Sequence, residues 1–129
     1  EEASRQYRAV IETNPAYIDA YTRLAQIRER VGDIAGAREL HEAAARREPD
    51  AWLYPMHVGR LRAREGDMAG AVAALRTAVV RGPDEPKVHH QLARVYAMRG
   101  EESSAAYHRA TAARLFQAQL SPRAQGEER

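Results

Sequence analysis

Cysteine is absent from this chain, and large rings are scarce: one Trp and one Phe accompany six Tyr in 129 residues. Without cysteine there is no disulfide framework, no thiolate metal site and no thiol nucleophile, although the absence does not identify a compartment. Long apolar runs are missing as well. The longest uninterrupted apolar-or-glycine stretch, Ala69 to Leu75, falls far short of the roughly 20 residues that span a bilayer, so no membrane insertion is expected. Nor is one sign of charge in excess. Twenty Lys and Arg against eighteen Asp and Glu leave a formal +2, too little for the whole-molecule field that nucleic-acid or anionic-membrane binding needs. Any basic bias has to be local.

What the chain has in abundance is alanine. Together 26 Ala and 8 Gly leave 34 of 129 positions nearly free of side chain, a composition that favours close approach of helices over a large aromatic core. With 44% hydrophobic and 29% charged residues, the chain belongs with ordinary globular proteins and not with disordered ones. Its length fits one domain. The sequence opens at Glu1 with neither methionine nor a basic-then-apolar leader, as expected of a processed product or of the ordered part of something longer; localisation stays open.

The small residues recur in step. Pro15, Pro49 and Pro83 are spaced by 34, and so are Gly32, Gly66 and Gly100. The same step links Ala25, Gly59 and Ala93, then Ala37, Ala71 and Ala105, then Ala44, Ala78 and Ala112. Leu24, Val58 and Leu92 each stand one residue before the first of these columns. A fixed period of this length is the mark of a repeat architecture. Tyr17, Tyr21, Leu24, Ala25, Ile27 and Val31 fall mostly at three- and four-residue spacings, one helical stripe, and Gly32 then offers the left-handed backbone that ends a helix. Asp33, Asp67 and Glu101 follow as N-caps, the last a weaker one. Each proline then closes the second helix. The pattern predicts first helices over 17–31, 51–65 and 85–99, and second helices over 34–47, 68–81 and 102–120.

Residues 1–13 fit the register of a lone second helix, with Ala3, Tyr7 and Val10 in the places of Ala37, His41 and Ala44. That half unit is expected either to continue a solenoid upstream or to cap it. At the other end Gln117 stands where the next proline is due, and helical signals run on through Leu115, Phe116 and Leu120 to Ser121-Pro122. Arg109 stands where Tyr7, His41 and Leu75 stand in earlier units, and solenoids need such polar terminal faces. A disordered tail is expected over 121–129.

The 34-residue step, with Leu24-Ala25, Gly32-Asp33, Ala37, Ala44 and Pro49, resembles the tetratricopeptide repeat over residues 1 to about 120. The resemblance implies an all-α fold, a right-handed α-α superhelix of antiparallel helix pairs. Repeats would occupy 16–49, 50–83 and 84–120, after the lone helix at 1–13. Departures are visible. Where the family favours an aromatic early in the first helix, this chain has Tyr21, Pro55 and His89; where it favours Tyr later, it has Arg28, Arg62 and Tyr96. Pro55 is tolerated only in a first turn, so the first helix of unit two is expected to start late or bend.

In this family the first helices line a concave wall. The resemblance places Asp19, Thr22, Gln26, Glu29 and Arg30 of unit one on it. Unit two supplies Leu53, Met56, Arg60, Ala63 and Arg64, and unit three Lys87, His90, Arg94, Ala97 and Met98, with Arg23, His57 and Gln91 adjoining. Five cations against two anions give this list a local +3, so the groove is the basic face. Arg60 with Arg94, and Arg30 with Arg64, share columns and are expected to present a fork for carboxylates. Leu53, Met56 and Met98 would add adaptable apolar contact. Some family members grip a free C-terminal carboxylate with a Lys-Asn-Asn-Lys-Arg clamp; the matching positions hold Thr22, Gln26, His57, Lys87 and Gln91, of which only Lys87 is identical. The expected binding set is thus Arg30, Met56, His57, Arg60, Arg64, Lys87, His90 and Arg94.

No catalytic residue, metal or cofactor is expected. His57 with His90 across the groove would make a two-imidazole site without a third ligand, a poor metal site. His41, His89 and His108 fall at packing or solvent positions. Ser4, Ser103, Ser104 and Ser121 lie in helices or at their ends and form no nucleophile elbow, and the glycines close turns instead of cradling phosphate. Missing aromatic stacking platforms weigh against nucleic acid. The sequence therefore points to a module that binds an acidic or C-terminal segment of another protein. Two alternatives stand beside it: a structural scaffold, self-associating through its terminal helices, and the regulatory repeat region of a larger enzyme.

Overall fold

The structure, a computed structural model, describes residues 1–121; apart from Ser121, the tail expected over 121–129 lies outside the described residues. Seven helices follow one another: α1 (Glu2–Thr13), α2 (Ile18–Arg30), α3 (Ile34–Arg47), α4 (Leu53–Arg64), α5 (Met68–Arg81), α6 (Pro86–Met98) and α7 (Glu102–Leu120). Among the described residues there is no strand, and no helix is long and apolar enough to cross a membrane. Each helix lies within two residues of the range its pattern predicts. α2 packs on α3, α4 on α5 and α6 on α7, while α3–α4, α5–α6 and α1–α2 contacts join the pairs. The result is an all-α superhelix of antiparallel helix pairs, tetratricopeptide-like in architecture.

Turn chemistry sets the pairs. Gly32, Gly66 and Gly100 take φ of 88°, 87° and 77°, the left-handed region where a side chain is strained. The following Asp33 and Asp67 each accept a hydrogen bond, 2.9 Å long, from the backbone N–H of Gly36 and Gly70. Glu101 makes no such cap and pairs with Arg99 at 3.1 Å instead. Its longer side chain is the poorer fit to the cap geometry. In α4, Pro55 is the third helical residue, and the helix starts at Leu53, one residue later than Ile18 and Pro86 imply by the 34-residue step.

Small residues set the spacing between helices. Ala25, Ala37, Ala44, Ala71, Ala78 and Ala105 are wholly buried, Ala93 nearly so. Only Ala112, at the end of its column, is half-buried. At Gly59 an added Cβ would sit 2.6 Å from Leu75 Cγ and 3.0 Å from the Ala71 carbonyl oxygen, so α4 and α5 touch almost backbone to side chain. Around these contacts Leu61, Leu75 and Leu92 are buried to 1% exposure or less, each contributing on the order of 2 kcal/mol.

Positions where the chain departs from the family pattern keep a structural task. Tyr21 Oη donates to the Pro15 carbonyl at 2.9 Å, and His89 Nε2 does the same to Pro83 at 2.8 Å, one repeat-equivalent contact made by two chemistries. Pro55 between them has no group to offer. Arg62 reaches Glu42 at 3.5 Å, while at the equivalent pair Arg76 donates to Tyr96 Oη at 3.2 Å.

Gly59→Ala should therefore destabilise the chain by about 1–3 kcal/mol through overpacking, although alanine is the better helix former. Asp67→Ala should cost about 1 kcal/mol for the lost cap. Urea unfolding followed by circular dichroism checks both; a Gly59→Ala midpoint at or above that of the parent would show that the helices do not meet there.

Candidate protein-binding groove

Residues of α2, α4 and α6 line a series of clefts, and these are the residues that the repeat register assigns to the groove. Between α2 and α4 a polar cleft of about 380 Å³ carries Asp19, Thr22, Gln26 and Glu29 on one side and Leu53, Tyr54, His57 and Arg60 on the other, with buried His41 of α3 beneath. Between α4 and α6 a cleft of about 150 Å³ is lined by Arg60, Ala63, Arg64, Gln91, Arg94 and Met98. Arg30 and Arg64 share a neighbouring opening with Gln26 and Glu29. Lys87, His90 and Gln91 belong to a third cleft of about 540 Å³ that continues onto α7. Thr22, Gln26, His57, Lys87 and Gln91, the positions matching the carboxylate clamp, all line one of these clefts.

The arginine columns come together as expected, Arg60 beside Arg94 and Arg30 beside Arg64. Their chemistry differs from a free fork. Arg60 is already engaged: Nη1 donates to Glu29 Oε2 at 2.6 Å and Nη2 to Oε1 at 2.9 Å, a bidentate pair between α4 and α2. Arg64 Nη1 adds a third bond to Glu29 Oε2 at 2.9 Å. The hydrogen bond from Arg60 and the charges of Arg60 and Arg64 hold the Glu29 carboxyl below its ordinary range, against the opposing effect of its burial. Arg30, Lys87 and Arg94 are exposed and make no ion pair among the described residues. The cations open to a partner are therefore Arg30, Lys87 and Arg94, with Arg64 half engaged.

Two other expected members are placed differently. Met56 is 5% exposed and packs in the core beside Leu75, Ala78 and Leu92, reaching only the wall of the third cleft beside Lys87 and His90. His57 does not share a cleft with His90. It stacks on His41, ring centroids 4.6 Å apart, and its Nδ1 lies 3.1 Å from Arg60 Nη2. Arginine has only donors, so Nδ1 accepts and the ring is neutral. Glu29 as the hub is not legible from the sequence, since an acid on a basic face reads as dilution until its partners are seen. His41 was legible only as a packing residue; its repeat equivalents Leu75 and Arg109 hint that the position changes character along the stack. Among the described residues no group of three His, Cys, Asp or Glu side chains could hold a metal ion.

Burial is the main cause of the low proton affinity of both stacked imidazoles. It pushes His41 down to about 3, helped by the charges of His57 and Arg60. His57 goes down to about 4 by burial and the charge of Arg60. Both start from 6.5, so protons bind the unfolded chain first and acid favours unfolding. Stability from this pair is full above about pH 6.5 and is lost progressively as the pH falls toward 4 and then 3. His41→Leu, which installs the side chain found at the equivalent position 75, should flatten that acid limb and raise the urea midpoint at pH 5. A midpoint that keeps its full pH slope in the variant would remove His41 from this role.

Neither a protein-family model nor a curated protein matches the chain. Solved structures do. MamA from Desulfovibrio magneticus RS-1 matches with a TM-score of 0.81 at 19% identity, over 92% of this chain and 67% of that one. A MamA RS-1 double mutant gives 0.80 at 19%, over 92% and 66%, and MamA MSR-1 gives 0.75 at 22%, over 90% and 67%. The chain thus spans about two thirds of the length of these structures. At such identities the likeness is one of fold, and the chain has the helical solenoid architecture that the MamA structures share.

Proposed function

We propose that this chain is a non-enzymatic protein-interaction module that holds an acidic or C-terminal segment of a partner along the groove formed by α2, α4 and α6. Its units would be a half repeat at 1–13 and full repeats at 16–49, 50–83 and 84–120. The observation that carries the reading is the run of guanidinium and ammonium groups along this one side. Arg30, Arg64, Arg94 and Lys87 follow one another from α2 to α6, and the carboxylate among them, Glu29, is already shared by Arg60 and Arg64. A partner's carboxylates would meet several exposed guanidinium and ammonium donors at once, and charge-assisted hydrogen bonds to them are stronger than neutral ones. Glu29 would keep Arg60 and Arg64 oriented toward the cleft, a preorganisation that lowers the cost of binding.

The scaffold reading has one observation in its favour. Phe116 and Leu120, one turn apart on α7, are both more than half exposed, and neighbouring exposed large apolar side chains mark contact surfaces.

Arg30→Glu with Arg94→Glu tests the groove without breaking the Glu29 pairs. A fluorescein-labelled acidic 12-residue peptide, assayed by anisotropy at low salt, should bind the double variant at least about tenfold more weakly than the parent, with a flatter salt dependence. Equal affinity for the two proteins would refute the groove. Amidating the peptide's C-terminus separates capture of a terminal carboxylate from capture of acidic side chains.

A further inference from the structure

The cleft of about 540 Å³ between α6 and α7 is explained by translating the repeat. In unit two, α6 packs on α5 and α4; Met56, Leu75 and Ala78 share one core cluster with Val88, Leu92 and Val95 of α6, and Trp52, Leu53 and Val79 pack against it. Adding 34 to the numbers of the six residues of unit two yields Pro86, Lys87, His90, Arg109, Ala112 and Ala113. Every one of those six lines the cleft. The cleft is therefore the seat of a first helix, the same surface that carries α6 one unit earlier, and among the described residues no helix covers it. That is why Ala112 is only half-buried while Ala44 and Ala78 are wholly so.

Its side chains are not those of the seat under α6. Leu53, Met56 and Leu75 are replaced in step by Lys87, His90 and Arg109, while Ala112, Ala113 and Pro86 stay small or apolar. Phe116, 53% exposed, stands at the position of Gly82 and adds a large ring. Gly82 in the seat under α6 lies hard against Trp52, with no room for a Cβ. The seat on α6 and α7 thus has an apolar floor with a wall at Phe116, and two cations and an imidazole where the seat under α6 has Leu53, Met56 and Leu75. Glu85 is the one acid on its lining.

We propose that this seat binds an amphipathic α-helix of a partner protein, with an apolar stripe toward Ala112, Ala113 and Phe116 and acidic residues facing Lys87 and Arg109. The geometry of α6 on the preceding unit supplies the helical conformation, since a first helix is what this surface shape accepts elsewhere in the same chain. Charge complementarity supplies the acidic stripe. The inference rests on reading the chain as a protein-binding module, but not on the arginine clefts between α2, α4 and α6.

The test uses the full chain and synthetic 15-residue peptides with a lactam staple, Leu at helical positions i, i+4, i+7 and i+11, and Glu flanking the stripe. A second peptide carries Lys for each Glu, and a third carries a central Pro that breaks the helix. By anisotropy, the Glu helix should bind saturably and at least about tenfold more tightly than the other two. Phe116→Asp should lose that binding, and Arg109→Glu should narrow or reverse the preference for Glu over Lys. Both residues are exposed, and circular dichroism confirms that the variants fold. Arg30→Glu with Arg94→Glu should leave the Glu helix bound, so failure of the groove and failure of this seat are read separately. Equal binding of Glu and Lys helices, or binding untouched by Phe116→Asp, would overturn the proposal. So would sedimentation showing a dimer of the chain that Phe116→Asp dissolves, because the occupant would then be a second copy.

Discussion

Helices in this chain meet through residues that have almost no side chain, and the rest of the architecture depends on that contact. Ala25, Ala37, Ala71 and Ala105 are wholly buried, and Gly59 brings α4 against Leu75 and the Ala71 carbonyl so closely that a methyl group would not fit. A core of this kind has few large rings to bury, so its stability comes from dense packing of short side chains around a few leucines. It also makes the stack regular. When the interhelix distance is set by alanine in every unit, successive pairs adopt similar offsets, and the first helices fall side by side with clefts between them.

Polar chemistry then distributes itself on that regular frame unevenly. On the groove side Glu29 ties α2 to α4 through Arg60 and Arg64. Elsewhere Arg38 bridges Glu42 of its own helix and Glu65 at the end of α4, both at 2.6 Å. These pairs are partly shielded, so they add more to the orientation of their side chains than to net stability. The stacked His41 and His57 are a different accommodation. Two neutral imidazoles fill a space that Leu75 helps fill in the next unit, at the expense of a buried Nδ1 on His41 that has no hydrogen-bond partner. Such an unpaired polar atom is costly, and it lies under the groove, beneath the cleft between α2 and α4.

The α6–α7 unit shows how a repeat protein changes a surface by changing side chains while keeping the backbone. The same positions that carry Leu53, Met56 and Leu75 in unit two carry Lys87, His90 and Arg109 in unit three. Charge there suits a seat that no helix covers among the described residues.

The sequence by itself determined the class of fold and the run of the helices. Period, proline and glycine punctuation, and the aspartate caps act within a few residues of where they stand, so Gly32 with Asp33 and Gly66 with Asp67 end one helix and begin the next wherever the units sit in space. Which residues share a column was also legible, because a fixed step of 34 maps sequence onto surface, and Arg60 does lie beside Arg94. What only the tertiary structure decided is which of those groups are free. Glu29 and Arg60 are 31 residues apart, His41 and His57 lie on different helices, and Met56 turns into the core. Pairing between side chains on separate helices depends on distances of a few tenths of an ångström and on rotamers that the period does not encode, so the charge presented to a partner is a property of the packed molecule.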